Sequence, residues 1–148
     1  MTLLTVGWLR THGACEDGVT WFTAQSETAP VAVLRALMQD KKLNWANWLI
    51  VRVMTKKQYV AYAIYAAEQV IELYEKHYPN DPRPRQAINA AKAYMKKPTA
   101  RATGAAARAA RAARAAAWAA EAAGAAGATG AAMQKKILTY GLTLLERT

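Results

Sequence analysis

Up to residue 54 the chain alternates short apolar segments with polar breaks, which fall at His12-Gly13, from Ser26 to Pro30, and at Asp40-Lys41-Lys42. Pro30 suits the first turn of a helix, where a missing N–H costs nothing. Val31, Leu34, Leu37 and Met38 then recur at spacings of three and four, which predicts a short amphipathic helix. Segment 43–54, LNWANWLIVRVM, admits a strand at its β-branched end. Leu43, Ala46, Ile50 and Val53 nevertheless keep a helical spacing, and a helix is the expectation.

From Thr55, a competent N-cap, to Tyr78 the period is strongest. Val60, Ile64, Ala67, Ile71, Tyr74 and Tyr78 form one row, and Tyr59, Ala63, Ala66, Val70 and Leu73 form a second beside it. So broad an apolar face belongs to a central helix, with Glu68, Glu72, Glu75 and Lys76 on its wet side. Pro79 ends it. In PNDPRPRQ, 79–86, Asp81 can cap the next helix and Pro82 and Pro84 are tolerated in its first turn. That helix runs to Lys97, with Ala87, Ile88, Ala91 and Met95 on one side, until Pro98 closes it.

Between 100 and 132, 21 of 33 residues are alanine, the best helix former, with arginine close behind, so 100–123 reads as one long helix. At 100° per residue, Lys97, Arg101, Gly104, Arg108, Arg111, Arg114, Trp118 and Glu121 share a stripe, and the remainder is nearly all alanine. The alanine side permits close approach of another helix, AYAIYAAEQ and AINAAKAYM being the natural mates, or of a second copy of the chain. Residues 133–146 regain large apolar groups (Met133, Ile137, Leu138, Leu142, Leu145) and read as a closing helix. The whole predicts an all-α array of six or seven helices. At 148 residues it has the length of one domain: a charge-neutral half (1–82), a basic alanine-rich half (83–136) and the closing segment (137–148).

Charge sharpens this division. Residues 1–82 hold eight basic and eight acidic side chains, and 137–148 hold one of each, so the whole net charge of +10 lies in 83–136. There, eleven basic residues face Glu121 alone. Such asymmetry points to an anionic partner, whether nucleotide, nucleic acid or acidic protein. The opposing reading is a solvated helix face kept soluble by arginine. One cysteine excludes an intrachain disulfide and a cysteine-built zinc site, and suits a reducing, cytoplasmic setting. The N-terminus lacks the pattern of a secretory signal, and no run approaches the ~20 strongly apolar residues that cross a bilayer.

Chemistry is sparsely signalled. His12 and Cys15 lie three apart, but without an orienting partner the thiol reads as a buried structural group rather than a nucleophile. Two histidines supply too few ligands for a metal, and GAAGATG at 124–130 lacks the Lys-Ser and preceding strand of a phosphate loop. Neither a cofactor nor catalysis is expected. The tyrosines at 59, 62, 65, 74 and 78 could stack on bases, yet their helical spacing assigns them to the core and its rim. The arginine stripe remains. Arg101, Arg108, Arg111 and Arg114, with Arg83 and Arg85 nearby, can each grip an anionic group bidentately, and Trp118 lies one turn on, placed to stack or to anchor. Alternatively Arg111 and Arg114 pair with Glu68, Glu72 or Glu75 across a helix interface.

AEQVIELYEKHYPNDPRPRQAINAAKAYM, followed by the alanine repeat, resembles the alanine-rich immunity-protein family of bacterial polymorphic toxin systems and its phage-encoded relatives of unknown function, over about residues 63–132. WLRTHGAC, 8–15, looks like the opening of the phage-type members. DPRPRQAINAAKAY is the specific part; the alanine repeat is compositional. The resemblance implies an all-helical fold and a setting of conflict among bacteria and phages, and it brings no catalytic residue. One departure stands out: immunity proteins against nucleases usually present acidic surface, whereas this second half is basic. The leading expectation is therefore a non-enzymatic, phage-type binding protein that counters host defence by sequestering a nucleotide signal or an acidic defence protein through the Arg-lined helix. Non-specific nucleic-acid binding and toxin immunity are the alternatives.

Overall fold

The computed structural model describes residues 2–98 and 128–147, and these form seven helices: α1 (Val6–Thr11), α2 (Glu16–Thr23), α3 (Pro30–Gln39), α4 (Leu43–Val53), α5 (Lys56–His77), α6 (Arg83–Lys96) and α7 (Ala128–Glu146). No strand occurs among the described residues, so the ambiguous segment 43–54 is helical. The helix proposed for 100–123 lies outside them.

The polar breaks act through backbone geometry. After α1, Gly13 takes φ 78°, and the N–H groups of Gly13 and Ala14 donate to the carbonyls of Arg10 and Leu9, a reversal that glycine accommodates freely. After α3 the same closure is made by Lys41 at φ 58°, with Lys41 N–H to Met38 and Lys42 N–H to Leu37. At the head of α5, Thr55 and Gln58 form a reciprocal capping box, and Gln58 Nε2 also donates to the Leu144 carbonyl at 2.8 Å, tying the start of α5 to the end of α7.

Helix α7 packs on α3, α4 and α5, while α6 packs on the opposite side of α5. Leu34, Ile50, Tyr62, Ile137 and Leu138 are wholly buried where α3, α4, α5 and α7 meet. A methyl group on Gly141 of α7 would lie 2.5 Å from Ile50 Cδ1 and 2.8 Å from Tyr62 Cε2, so the glycine is what lets α7 close on α4 and α5. Tyr62 also spends its hydroxyl on Asn47 Oδ1 at 3.3 Å, satisfying a buried polar pair.

Tertiary context alters several expectations. Tyr62, which the sequence assigns to the core or its rim but to neither apolar row, is fully buried, because α5 is covered on two sides and not one. Tyr78, placed in the first row, is 59% exposed, since it follows the last turn of α5. Cys15 is exposed at the N-cap of α2 instead of buried. The closing helix is already formed at Ala128, where the described residues resume, ahead of the apolar run that announces it, and it carries a buried Gly130 within it.

Candidate functional site

The faces of α5 and α6 that carry AYAIYAAEQ and AINAAKAYM meet each other: Ala67 and Ile71 of α5 lie with Ile88 of α6 in one small cluster, and Val60 lies with Ala91 and Tyr94 in another; the packing of 100–123 against them, which the sequence predicts, lies outside the described residues. Small side chains bring the two helices close, and their charged residues then span the short gap. Arg85 donates from Nε and Nη2 to the two carboxylate oxygens of Glu75, each at 2.8 Å, a bidentate pair. Lys92 pairs with Glu68 one step further along.

The corner between the helices is built on Asp81. Pro79 cannot continue α5, and the Asp81 N–H donates back to the Tyr78 carbonyl at 3.1 Å. Asp81 Oδ1 then accepts the Arg83 backbone N–H at 3.1 Å and Arg83 Nε at 2.8 Å, while Oδ2 accepts Arg83 Nη2 and the Tyr74 hydroxyl, both at 2.7 Å. Asp81 thus holds the first residue of α6 through an Asx-type turn, although the N-cap position itself is Pro82, which the sequence reading had given to Asp81. The Arg83 and Tyr74 hydrogen bonds hold the Asp81 carboxyl well below the usual carboxylate range, chiefly through the guanidinium. Arg85 lowers Glu75 in the same way, mainly through its hydrogen bonds. Tyr74 is pushed up because its hydroxyl donates to Asp81.

Of the expected binding residues, Arg83 and Arg85 fall within the described part, and each faces a carboxylate of its own chain. Arg83 still projects outward, with 83% of its side chain exposed against 16% for Asp81. Arg101, Arg108, Arg111, Arg114 and Trp118 lie outside the described residues. Pairing across α5 and α6 also bears on the alternative for Arg111 and Arg114, because Glu68 and Glu75 are engaged by Lys92 and Arg85. Charge counted along the sequence therefore overstates charge in space: three of the eleven basic residues of 83–136 are matched by acids from 68–81. The exposed Lys96 and Lys97 at the end of α6, and Lys135 and Lys136 on α7, lie on the flanks of the alanine-rich segment in sequence.

Sequence reasoning missed two features here. The Tyr74 hydroxyl completes the Asp81 cluster, and only its spacing of seven from Asp81 across the helix end could have signalled it. The stacking of Tyr65 on Tyr140, with ring centroids 4.0 Å apart, joins α5 to α7 and depends on a contact between residues 75 positions apart. Among the described residues no group of three or more His, Cys, Asp or Glu side chains could hold a metal ion, and no helix is long and apolar enough to cross a membrane.

The family model described as "Imm-5 like putative immunity protein" matches residues 50–143, more than half of the chain and the part that contains α5, the Asp81 corner and α6. No curated protein and no solved structure matches.

Proposed function

The chain belongs to the family described as Imm-5 like putative immunity protein, and from that membership we propose that it acts by holding a partner protein, a toxin, in the cytoplasm of the cell it protects. Binding, and not catalysis, is the activity. The observation that carries the choice of surface is the charge left over once the α5–α6 pairs are formed: Lys96, Lys97, Arg101, Arg108, Arg111, Arg114, Lys135 and Lys136 against Glu121. Basic charge gathered this densely along the chain selects an acidic partner and speeds its capture. The contacts are assigned to Arg101, Arg108, Arg111 and Arg114, with Trp118 as the apolar anchor and Arg83 and Arg85, already paired with Asp81 and Glu75, as secondary contacts.

The test is to take a toxin domain encoded next to the gene for this chain, coexpress the two, and follow with titration calorimetry of the purified proteins. Restored growth and a tight 1:1 complex are expected. Arg108→Glu together with Arg111→Glu should abolish both while leaving the melting temperature of the free chain unchanged. Growth rescue that survives this reversal would remove the basic surface from the account.

The spacing of Arg108, Arg111 and Arg114 at i, i+3 and i+6 supports a second reading, in which a phage-type protein sequesters a nucleotide signal of host defence or an acidic defence protein. A thermal-shift panel of cyclic and linear nucleotides separates the two, since a ligand-specific stabilisation lost in Arg108→Ala favours the nucleotide. Simple nucleic-acid binding would instead show as a mobility shift with steep salt dependence.

A further inference from the structure

The turn after α1 and helices α2, α3 and α4 enclose a cavity of about 270 Å³. Its floor is made by the buried Leu9, Leu37 and Leu49, and half-buried Trp21, Trp45 and Trp48 supply aromatic walls. Gly13, Ala14, Gly18 and the exposed Cys15 are also part of its lining. Every lining residue precedes position 50, so the cavity lies outside the segment that defines the family.

We propose that this cavity binds a small, uncharged apolar molecule, one or two rings in size. Three observations select that class. The volume falls just under the ~300 Å³ at which pockets begin to hold drug-sized ligands, which limits the occupant to a compact molecule. The lining offers aliphatic and aromatic surface that water solvates poorly and a neutral ligand covers well. Asn44 is the one amide of the lining, and the polar groups beside the indole walls are engaged with them: the Trp21 indole N–H donates to Asp40 at 2.8 Å, Lys42 lies 4.3 Å from the centroid of Trp45, and Arg52 lies 4.1 Å from that of Trp48. None of Asp40, Lys42 and Arg52 is among the lining residues, so a charged group inside the cavity would lose its hydration without gaining a partner there, whereas a neutral ring would slide between the indoles at little desolvation cost.

Cys15 is the sole thiol of the chain, lines the cavity and is exposed to solvent, so it reports occupancy directly. The experiment follows the rate of Cys15 alkylation by iodoacetamide in the full chain, with toluene or indole as neutral probes and decanoate or decylammonium as charged ones. Neutral probe at about ten times its Kd should slow alkylation about tenfold and raise the melting temperature, whereas the charged probes should do neither. Gly18→Leu should remove the protection, because the new side chain starts from a Cβ at an ordinary 3.4 Å from Cys15 Sγ and extends into the cavity, while α2 tolerates leucine well. Trp45→Ala, which takes away a wall instead of filling the space, should weaken protection independently. No slowing by either neutral probe up to its solubility overturns the proposal, as does equal slowing in Gly18→Leu, or protection by decanoate as strong as by toluene. Shielding of Cys15 by the partner toxin with no response to any small probe overturns it in favour of a side-chain anchor.

Discussion

The two faces of α5 solve the same packing problem by different means. Towards α4 and α7 the helix presents Tyr62, wholly buried and hydrogen-bonded to Asn47, and Tyr65, stacked on Tyr140. Towards α6 it presents Val60, Ala67 and Ile71, with Glu68 and Glu75 pairing with Lys92 and Arg85. The first face is held by interlocking large side chains, whose stabilisation is insensitive to pH and salt. Close helix contact through small residues and exposed charge pairs holds the second, and exposed pairs contribute little and are screened. The difference teaches that the layer carrying the Asp81 corner and the α5–α6 ion pairs is the one more responsive to its ionic surroundings.

The largest effect should come from the first face. Tyr62→Ala removes a fully buried ring and should cost ~4 kcal/mol in urea unfolding, against ~2 kcal/mol for Ile88→Ala on the second face. Equal losses would erase the contrast. Gly141→Ala should cost ~1–3 kcal/mol, because its methyl group must displace Ile50 and Tyr62, both without slack. A neutral result would show that α7 can retreat from α4 and α5. Thr55→Ala deletes one half of the capping box that starts α5 and should lower stability by ~1 kcal/mol, read from the thermal midpoint.

The smallest effect is local and sharpens the comparison most. Asp81 and Glu75 are depressed from ordinary values of 3.8 and 4.5, so the contribution of their ionised forms is complete above those values and is lost as pH falls towards the depressed ones. Amide shifts of Arg83 and of α6 should therefore begin to move only when pH drops below about 4, while those around Tyr62 and Leu138 stay put. Asp81→Asn should abolish the Arg83 part of the response at every pH. A transition that moved both faces of α5 together would mean that the helix reports a single cooperative unit.

Much of the fold was legible in the residues. Thr55, Pro79 and Pro98 bound their helices by chemistry that acts within one turn, and the periods of 31–38 and 55–78 follow from which side chains avoid water. The site was less legible. Arg83 and Arg85 read as free cations because their acids, Asp81 and Glu75, lie on the other side of a proline turn from the basic stretch. Nothing in a linear count shows that a ten-residue separation becomes a 2.8 Å contact once the chain reverses. The cavity between α1 and α4 had no sequence signal at all, since its lining is drawn from four segments whose aromatic residues look like ordinary core.

By itself, then, the sequence determined the helices between Pro30 and Lys97 and the closing helix, their breaks, the single thiol and the gathering of positive charge beyond residue 82, all of which depend on local propensity and composition. Only the tertiary structure decided that α5 is buried on two sides, that Gly141 is a contact and not a break, that three of the basic residues are neutralised, and that Cys15 stands at the edge of a cavity. The physical reason is common to these cases. Burial and ion pairing depend on which surfaces meet, and chain reversals bring together surfaces that no periodicity connects.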